Sequence, residues 1–213
     1  HGGEIFIEAN SIPIQVKGKV IGIQGIFRDI SARKQAEIEL QHMATHDYLT
    51  DLPNIRLFLE HLDKALARAR RSGEHVALLY LDLDGFKSVN DKFGHAIGDE
   101  VLRMVAKRLE ESVRKADIVS RLGGDEFAIL MTDLPYLNNV DSLADRLHQS
   151  MRAPFVVQNS ETYVTASIGI STFPQDTEES DALIRYADQA MFYSKSLGKN
   201  CYYHFSDLNK SNT

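Results

Sequence analysis

An α+β fold built on a ferredoxin-like βαββαβ core, with extra strands and helices, is what this 213-residue sequence predicts. Three observations carry that prediction. The run 76–81 is almost wholly apolar, the pattern of a central strand covered on both faces. Residues 97–114 follow it with Ile97, Val101, Leu102, Val105 and Leu109 on one broad helical face. Two strand-like stretches, 118–122 and 127–131, then flank the turn Gly123-Gly124-Asp125-Glu126 as a hairpin.

The other elements are placed around that core. Residues 4–9 and 19–28 are β-rich, with Ile5, Ile7, Val20, Ile21, Ile23, Ile26 and Phe27 between turn-forming Gly and Lys positions. So short a stretch of strands buries little by itself, and 1–30 are expected to be the end of a truncated domain. Over 31–46, Ala36, Leu40 and Met43 recur at helical spacing among Lys, Glu and Gln, as in a linker helix. The main domain is expected over 47–205, with a tail at 206–213. Asn54 caps a helix to about Arg71, which Ser72-Gly73 ends. A helix near 139–152, strands near 155–157 and 163–170, a helix near 180–197 and a last strand near 201–205 complete the series.

Composition excludes several function classes. Hydrophobic residues are 43% and charged residues 25%, ordinary for a globular chain. With 30 Asp+Glu against 24 Lys+Arg and a formal charge of -6, no basic tract suggests a nucleic acid polymer as partner. The one cysteine, Cys201, forms no internal disulfide, which fits a reducing compartment. Neither a membrane-length apolar run nor a signal-peptide pattern occurs, so membrane contact is expected only through regions outside this chain. The start at His1 suggests excision from a longer protein.

Chemistry concentrates in two carboxylate clusters. Asp125 and Glu126 follow a paired-glycine turn that lets backbone approach a bulky anion while the acids face a cation. Asp82-Leu83-Asp84-Gly85-Phe86-Lys87 closes the apolar run 76–81, placing more carboxylates at a strand end. Clusters that meet across a sheet make a divalent metal site. Plainer roles stay open: Asp82 as a solvated strand end, Asp125 as a turn residue, Glu126 as half of a salt bridge, Asp84 as a structural acid. His95 has no neighbouring His or Cys to complete a zinc site, which favours a turn role, or support of residues that bind, over metal binding.

In order along 47–205, Asp47-Tyr48-Leu49-Thr50, Asp82 through Lys87, Asn90-Asp91, Phe93-Gly94-His95, Gly98-Asp99, Gly123 through Phe127, and Lys195 with Gly198-Lys199-Asn200 closely resemble the GGDEF family, the diguanylate cyclases. The fold of that family resembles nucleotidyl cyclase and polymerase palm domains. Residues 1–30, with Arg28-Asp29-Ile30, resemble the C-terminal fragment of a PAS sensor domain, and 31–46 the signalling helix that follows one.

The resemblance implies a homodimer in which each subunit holds one GTP, the two being joined into cyclic di-GMP with release of two pyrophosphates. It implies Mg²⁺ or Mn²⁺, two ions per half-site, on Asp82, Asp125 and the Leu83 carbonyl, with Glu126 and Lys87 also catalytic. Gly85 and Phe86 would offer backbone N–H groups to phosphates, and Lys87, Lys195 and Lys199 positive charge. Lys199 stands where the family commonly has Arg, so charge is kept and a bidentate fork lost. Asn90 and Asp99 would read guanine, between Leu49 and Leu102. Arg114 and Asp117, three apart and separated from Gly123 by five residues, match the family's inhibitory site for cyclic di-GMP. Here too plainer roles exist: Asn90 as a turn former, Asp99 as a first-turn charge, Lys195 and Lys199 as helix-end cations, and Arg114 with Asp117 as a surface ion pair. The resemblance further implies a cytoplasmic bacterial domain covalently linked to a sensor, within a soluble or membrane-associated protein. A silent GTP- or cyclic-di-GMP-binding module, controlling a downstream phosphodiesterase domain, is the alternative.

Overall fold

The computed structural model describes residues 5–158 and 160–208; residues 1–4 of the expected N-terminal fragment and 209–213 of the expected tail lie outside them. By contact density the chain divides into two units, His1–Ala44 and Thr45–Thr213.

In the first unit, β1 (Ile7–Val16) and β2 (Lys19–Asp29) form an antiparallel hairpin, and α1 (Ser31–Thr45) follows. β1 runs well past the expected 4–9. Ser11 and Pro13 look like turn residues, yet a two-stranded ribbon has only edge strands, which tolerate Pro where its missing N–H would face solvent. Ile12, Ile23, Ile26 and Phe27 of the hairpin are exposed, as are Ile38, Leu40 and Met43 of α1. Ser31 joins helix to strand: its Oγ accepts from the Phe6 N–H at 2.9 Å, and its own N–H donates to Asp29 Oδ1 at 2.8 Å.

The second unit opens with α2 (Ile55–Ser72), capped by Asn54, whose side chain accepts from the Leu57 N–H, and closed by Gly73 in the left-handed region at φ 74°. Then come β3 (His75–Asp84), α3 (Phe86–Phe93), α4 (His95–Ser112), β4 (Ile118–Gly123), β5 (Glu126–Leu134), α5 (Asn138–Arg152), β6 (Phe155–Val157), β7 (Ser160–Thr162), β8 (Thr165–Phe173), α6 (Ser180–Ser196), β9 (Tyr202–His204) and a short α7 (Phe205–Leu208). The sheet order is β4-β5-β3-β8-β9, antiparallel except for the β8–β9 pair. Its first four strands are the ferredoxin-like core, and β9 is an added edge.

Period-2 alternation along β3 supplies both faces of this sheet. Ala77, Leu79, Leu81 and Leu83 join a core with α4 and α5, while Val76 and Leu78 join a second core with α2 and α6. Gly169 of β8 faces α6, where a Cβ would overlap the helix backbone at Ala187 and Met191, so the absence of a side chain sets how closely α6 lies on the sheet. Asp82, Asp84 and Glu126 share that α6 face by parity, at one end of the strands. α3 departs from the expected turn: Gly85, at φ 79°, turns the chain out of β3, and Phe86 and Val89 then bury one face of a two-turn helix.

Candidate active site

Beyond the C-terminal end of β3, the first turns of α3 and α4 and the Gly123–Glu126 turn enclose an open cleft of about 510 Å³. Phe86, Lys87, Asn90, Asp91, His95, Asp99, Leu102, Arg121, Gly124 and Asp125 line it. That volume is within the range for small-molecule sites. Gly98 makes room in it, since a Cβ there would overlap the Asn90 amide and crowd the Phe86 ring. Leu102, buried in the core, shows an edge to the cleft, whereas Leu49 packs on the same core outside the lining residues.

The carboxylates meet across the strand ends. Asp82 lies opposite Glu126 in the β3–β5 register, and the Asp125 carbonyl accepts from the Leu83 N–H at 3.2 Å. Burial raises the Asp82 carboxyl above its ordinary range, with the charges of Asp125 and Asp84 adding to the rise, against the pull of Lys195. Lys195, from the last turn of α6, sets its ammonium 2.7 Å from Asp82 Oδ2. Tyr80 donates its hydroxyl to Glu126 Oε2 at 3.2 Å, fixing that acid on the α6 face; burial, then the Glu126 charge, raises the phenol strongly.

Asp84 turns away from this group into full hydrogen bonding. Its Oδ1 accepts from Ser167 Oγ at 2.8 Å, and its Oδ2 from Thr165 Oγ1 at 2.8 Å and the Asn200 N–H at 3.0 Å.

Arg121, to which its sequence position gave no role, holds the glycine turn. Nε and Nη2 both donate to the Gly124 carbonyl, at 3.1 and 2.7 Å, and Nη1 donates to Asp47 Oδ1 at 2.8 Å. Asp47 also accepts from the Thr50 N–H and Oγ1 at 2.9 and 2.7 Å. Burial opposes its ionisation, but the bonds from Thr50 and Arg121 outweigh that and leave its carboxyl below the ordinary range. The run Asp47-Tyr48-Leu49-Thr50 and Arg121 were visible in sequence; that they meet, 74 residues apart, depends on the fold.

Arg114 and Asp117 lie elsewhere, before β4 and so at the far end of that strand from the glycine turn. Asp117, with a side chain only 1% exposed, accepts from the Arg114 N–H at 3.2 Å and from its guanidinium at 3.2 and 2.8 Å. A shallow recess of about 220 Å³ adjoins the pair. Lys199, exposed and at φ 67°, and Lys195 stand outside the residues lining the main cleft.

Among the described residues no group of three or more His, Cys, Asp or Glu forms a ready-made metal cage, and no helix is long and apolar enough to cross a membrane. A pair of acids with a backbone carbonyl nonetheless suits Mg²⁺, which is commonly held by one or two carboxylates plus substrate phosphates and water.

A family model described as "Diguanylate cyclase, GGDEF domain" matches residues 44–201. The chain belongs to the GGDEF family. Relatives agree: the diguanylate cyclase TpbB of Pseudomonas aeruginosa is 42% identical over 166 residues, 77% of this chain and 38% of TpbB. The bifunctional diguanylate cyclase/cyclic di-GMP phosphodiesterase MucR of the same organism is 39% identical over 178 residues, 84% of this chain and 26% of MucR. This GGDEF chain thus spans well under half the length of these relatives. A crystal structure of the TpbB GGDEF domain superposes with a TM-score of 0.71 at 37% identity, covering 73% of this chain and 97% of that one.

Proposed function

We propose that this domain condenses two GTP molecules into cyclic di-GMP, releasing two pyrophosphates, as one half-site of a homodimer. The observation that carries the reading is the cleft in which Asn90, Asp99, Lys87 and the start of α3 face Asp125, at the strand end that bears Asp82. The N–H groups of Phe86 and Lys87 have no carbonyl one turn back within α3, and Gly85 leaves the approach open, so they bind phosphate oxygens. Lys87, Lys195 and Lys199 add positive charge. Asn90 and Asp99 match the donor and acceptor pattern of guanine, which adenine does not satisfy, with Leu49 and Leu102 beside the base.

Asp82, Asp125 and the Leu83 carbonyl are the ligands for Mg²⁺ or Mn²⁺, two ions per half-site. Bound there, the metal neutralises triphosphate charge and acidifies the attacking 3′-hydroxyl. Glu126, oriented by Tyr80, accepts the proton of that hydroxyl as its oxygen attacks the α-phosphorus and pyrophosphate leaves. Lys195, whose ammonium lies 2.7 Å from Asp82 Oδ2, would supply positive charge to a triphosphate oxygen beside that acid. Each GTP is both nucleophile and target, so two domains must face each other.

Residues 1–30 are read as the end of a PAS-like sensor and 31–46 as the signalling helix, supported by the exposed Ile23, Ile26 and Phe27 of the hairpin. Arg114 and Asp117 are read as the product-inhibition site, their ion pair opening to receive a guanine or phosphate. A silent nucleotide-binding module is the second reading, favoured by 37% identity over 171 residues to the cyclic di-GMP phosphodiesterase NbdA of Pseudomonas aeruginosa. Chromatographic detection of cyclic di-GMP from GTP and Mg²⁺, over a range of protein concentrations, separates them. Product rising faster than protein concentration supports the cyclase; GTP binding with no product at any concentration supports the silent module.

A further inference from the structure

The segment between α6 and β9 bears Lys199 and has an unusual backbone. Gly198, Lys199 and Asn200 all have positive φ, at 112°, 67° and 50°, a conformation disfavoured for the two residues that carry a Cβ. Two side chains from other elements hold it. Asp84, at the end of β3, accepts the Asn200 N–H at 3.0 Å, and His148 of α5 donates its Nε2–H to the Asn200 carbonyl at 2.7 Å. Asn200 is therefore held through both its backbone N–H and its carbonyl, while the Lys199 N–H returns to the Ser194 carbonyl at 3.3 Å.

Asp84 is suited to this task. Ser167 and Thr165 on β8 occupy its other acceptor directions, so the carboxylate is pinned before it meets Asn200. It also lies two residues along β3 from Asp82, on the same face. A single strand end thus carries one acid for the metal and one that fixes the turn between Lys195 and β9.

We infer that Asp84, assisted by His148, is a positioning residue for nucleotide binding: it orders the Gly198–Asn200 turn and so holds Lys199 at the strand end where the triphosphate sits. The inference rests on the proposed GTP-binding reading. It assigns Asp84 a hydrogen-bonding task and no metal. Asparagine at 84 can keep its oxygen toward the Asn200 N–H while its NH₂ donates to the reversible hydroxyl of Ser167, so the acceptor is needed and the charge is not.

The test compares wild type with Asp84→Ala, Asp84→Asn and His148→Ala in the intact chain. Hydrogen–deuterium exchange of the peptide covering 197–202, measured without nucleotide, reads the turn; titration with a non-hydrolysable GTP analogue and Mg²⁺ reads binding. Asp84→Ala is expected to speed exchange in that peptide and to weaken the analogue about tenfold, the scale of one lost charged contact. Asp84→Asn is expected to stay within about twofold of wild type in both. His148→Ala, which leaves Asp82, Asp84 and Asp125 in place, is expected to speed exchange of the same peptide, and it carries the test if Asp84→Ala does not fold. Unchanged exchange in the folded variants overturns the inference, as does Asp84→Asn binding as poorly as Asp84→Ala. A wild-type protein that binds no analogue overturns the function reading, and the phosphate role of the turn with it, whatever the exchange shows.

Discussion

Replacing Arg121 with Met keeps most of the buried side-chain volume and removes three hydrogen bonds: two on the Gly124 carbonyl and one on Asp47. Breaking a fully buried ion pair costs about 3–5 kcal/mol. Here Arg121 is 9% exposed and Asp47 16%, and Thr50 still donates twice to Asp47 after the change. The expected loss is therefore nearer 2–3 kcal/mol, about 1–2 of it coupled to Asp47 and the rest to the freed Gly124 carbonyl. All eight tyrosines lie between Tyr48 and Tyr203 and there is no tryptophan, so tyrosine fluorescence in urea follows the second unit without interference from the hairpin. The assay is a double-mutant cycle of Arg121→Met and Asp47→Asn. Losses that simply add, with coupling below about 0.3 kcal/mol, would refute the view that this pair clamps the signature turn to the segment after α1.

Gly98→Ala should cost a net of about 0–2 kcal/mol, the gain in helix propensity offsetting part of the overlap with Asn90 and the Phe86 ring, and should lower GTP affinity about tenfold by displacing Asn90; paired denaturation and titration check this. Gly169→Ala should cost about 2–3 kcal/mol or more in urea denaturation, since its Cβ meets the α6 backbone and no side-chain rotation relieves it. Asp47 is held below the ordinary carboxylate range, so the stability it adds is complete above the unfolded value of about 3.9 and is lost as pH falls through the lower folded value. Acid titration of wild type against Asp47→Asn should accordingly show a smaller loss below about pH 4 in the variant.

Elements whose signals are local were legible in the sequence. Asn54 and Gly73 set the ends of α2, the apolar run marked β3, and the order of periodic segments gave the ferredoxin-like core. β1 was cut short because Pro13 signals a break unless the strand is known to be an edge. α3 was missed because Gly85, Asn90 and Asp91 are turn formers, and only the burial of Phe86 and Val89 against the core turns them into a helix. The expected strand near 163–170 is β8, which starts at Thr165 and runs on to Phe173, while Ser160–Thr162 form a separate short strand, β7, paired with β6.

The site shows the same division. Alternation along β3 is enough to put Asp82 and Asp84 on one face. It does not tell that Ser167 and Thr165 absorb Asp84 while Lys195 meets Asp82, because those partners arrive from β8 and α6 more than 80 residues later. Arg121 and Tyr80 were missed for the same reason: each acts through a carbonyl or acid supplied by another segment. An arginine two residues before the paired-glycine turn was the only sequence signal that pointed to one of them.

The most direct measurement is cyclic di-GMP formed from GTP and Mg²⁺ by wild type and by Asp125→Asn, with nucleotide binding followed on the same samples. Wild type is expected to form product, with two pyrophosphates per cyclic di-GMP, and the variant none while still binding guanine through Asn90 and Asp99. Equal product from both, or GTP bound by a concentrated wild-type protein that yields none, would overturn the cyclase reading.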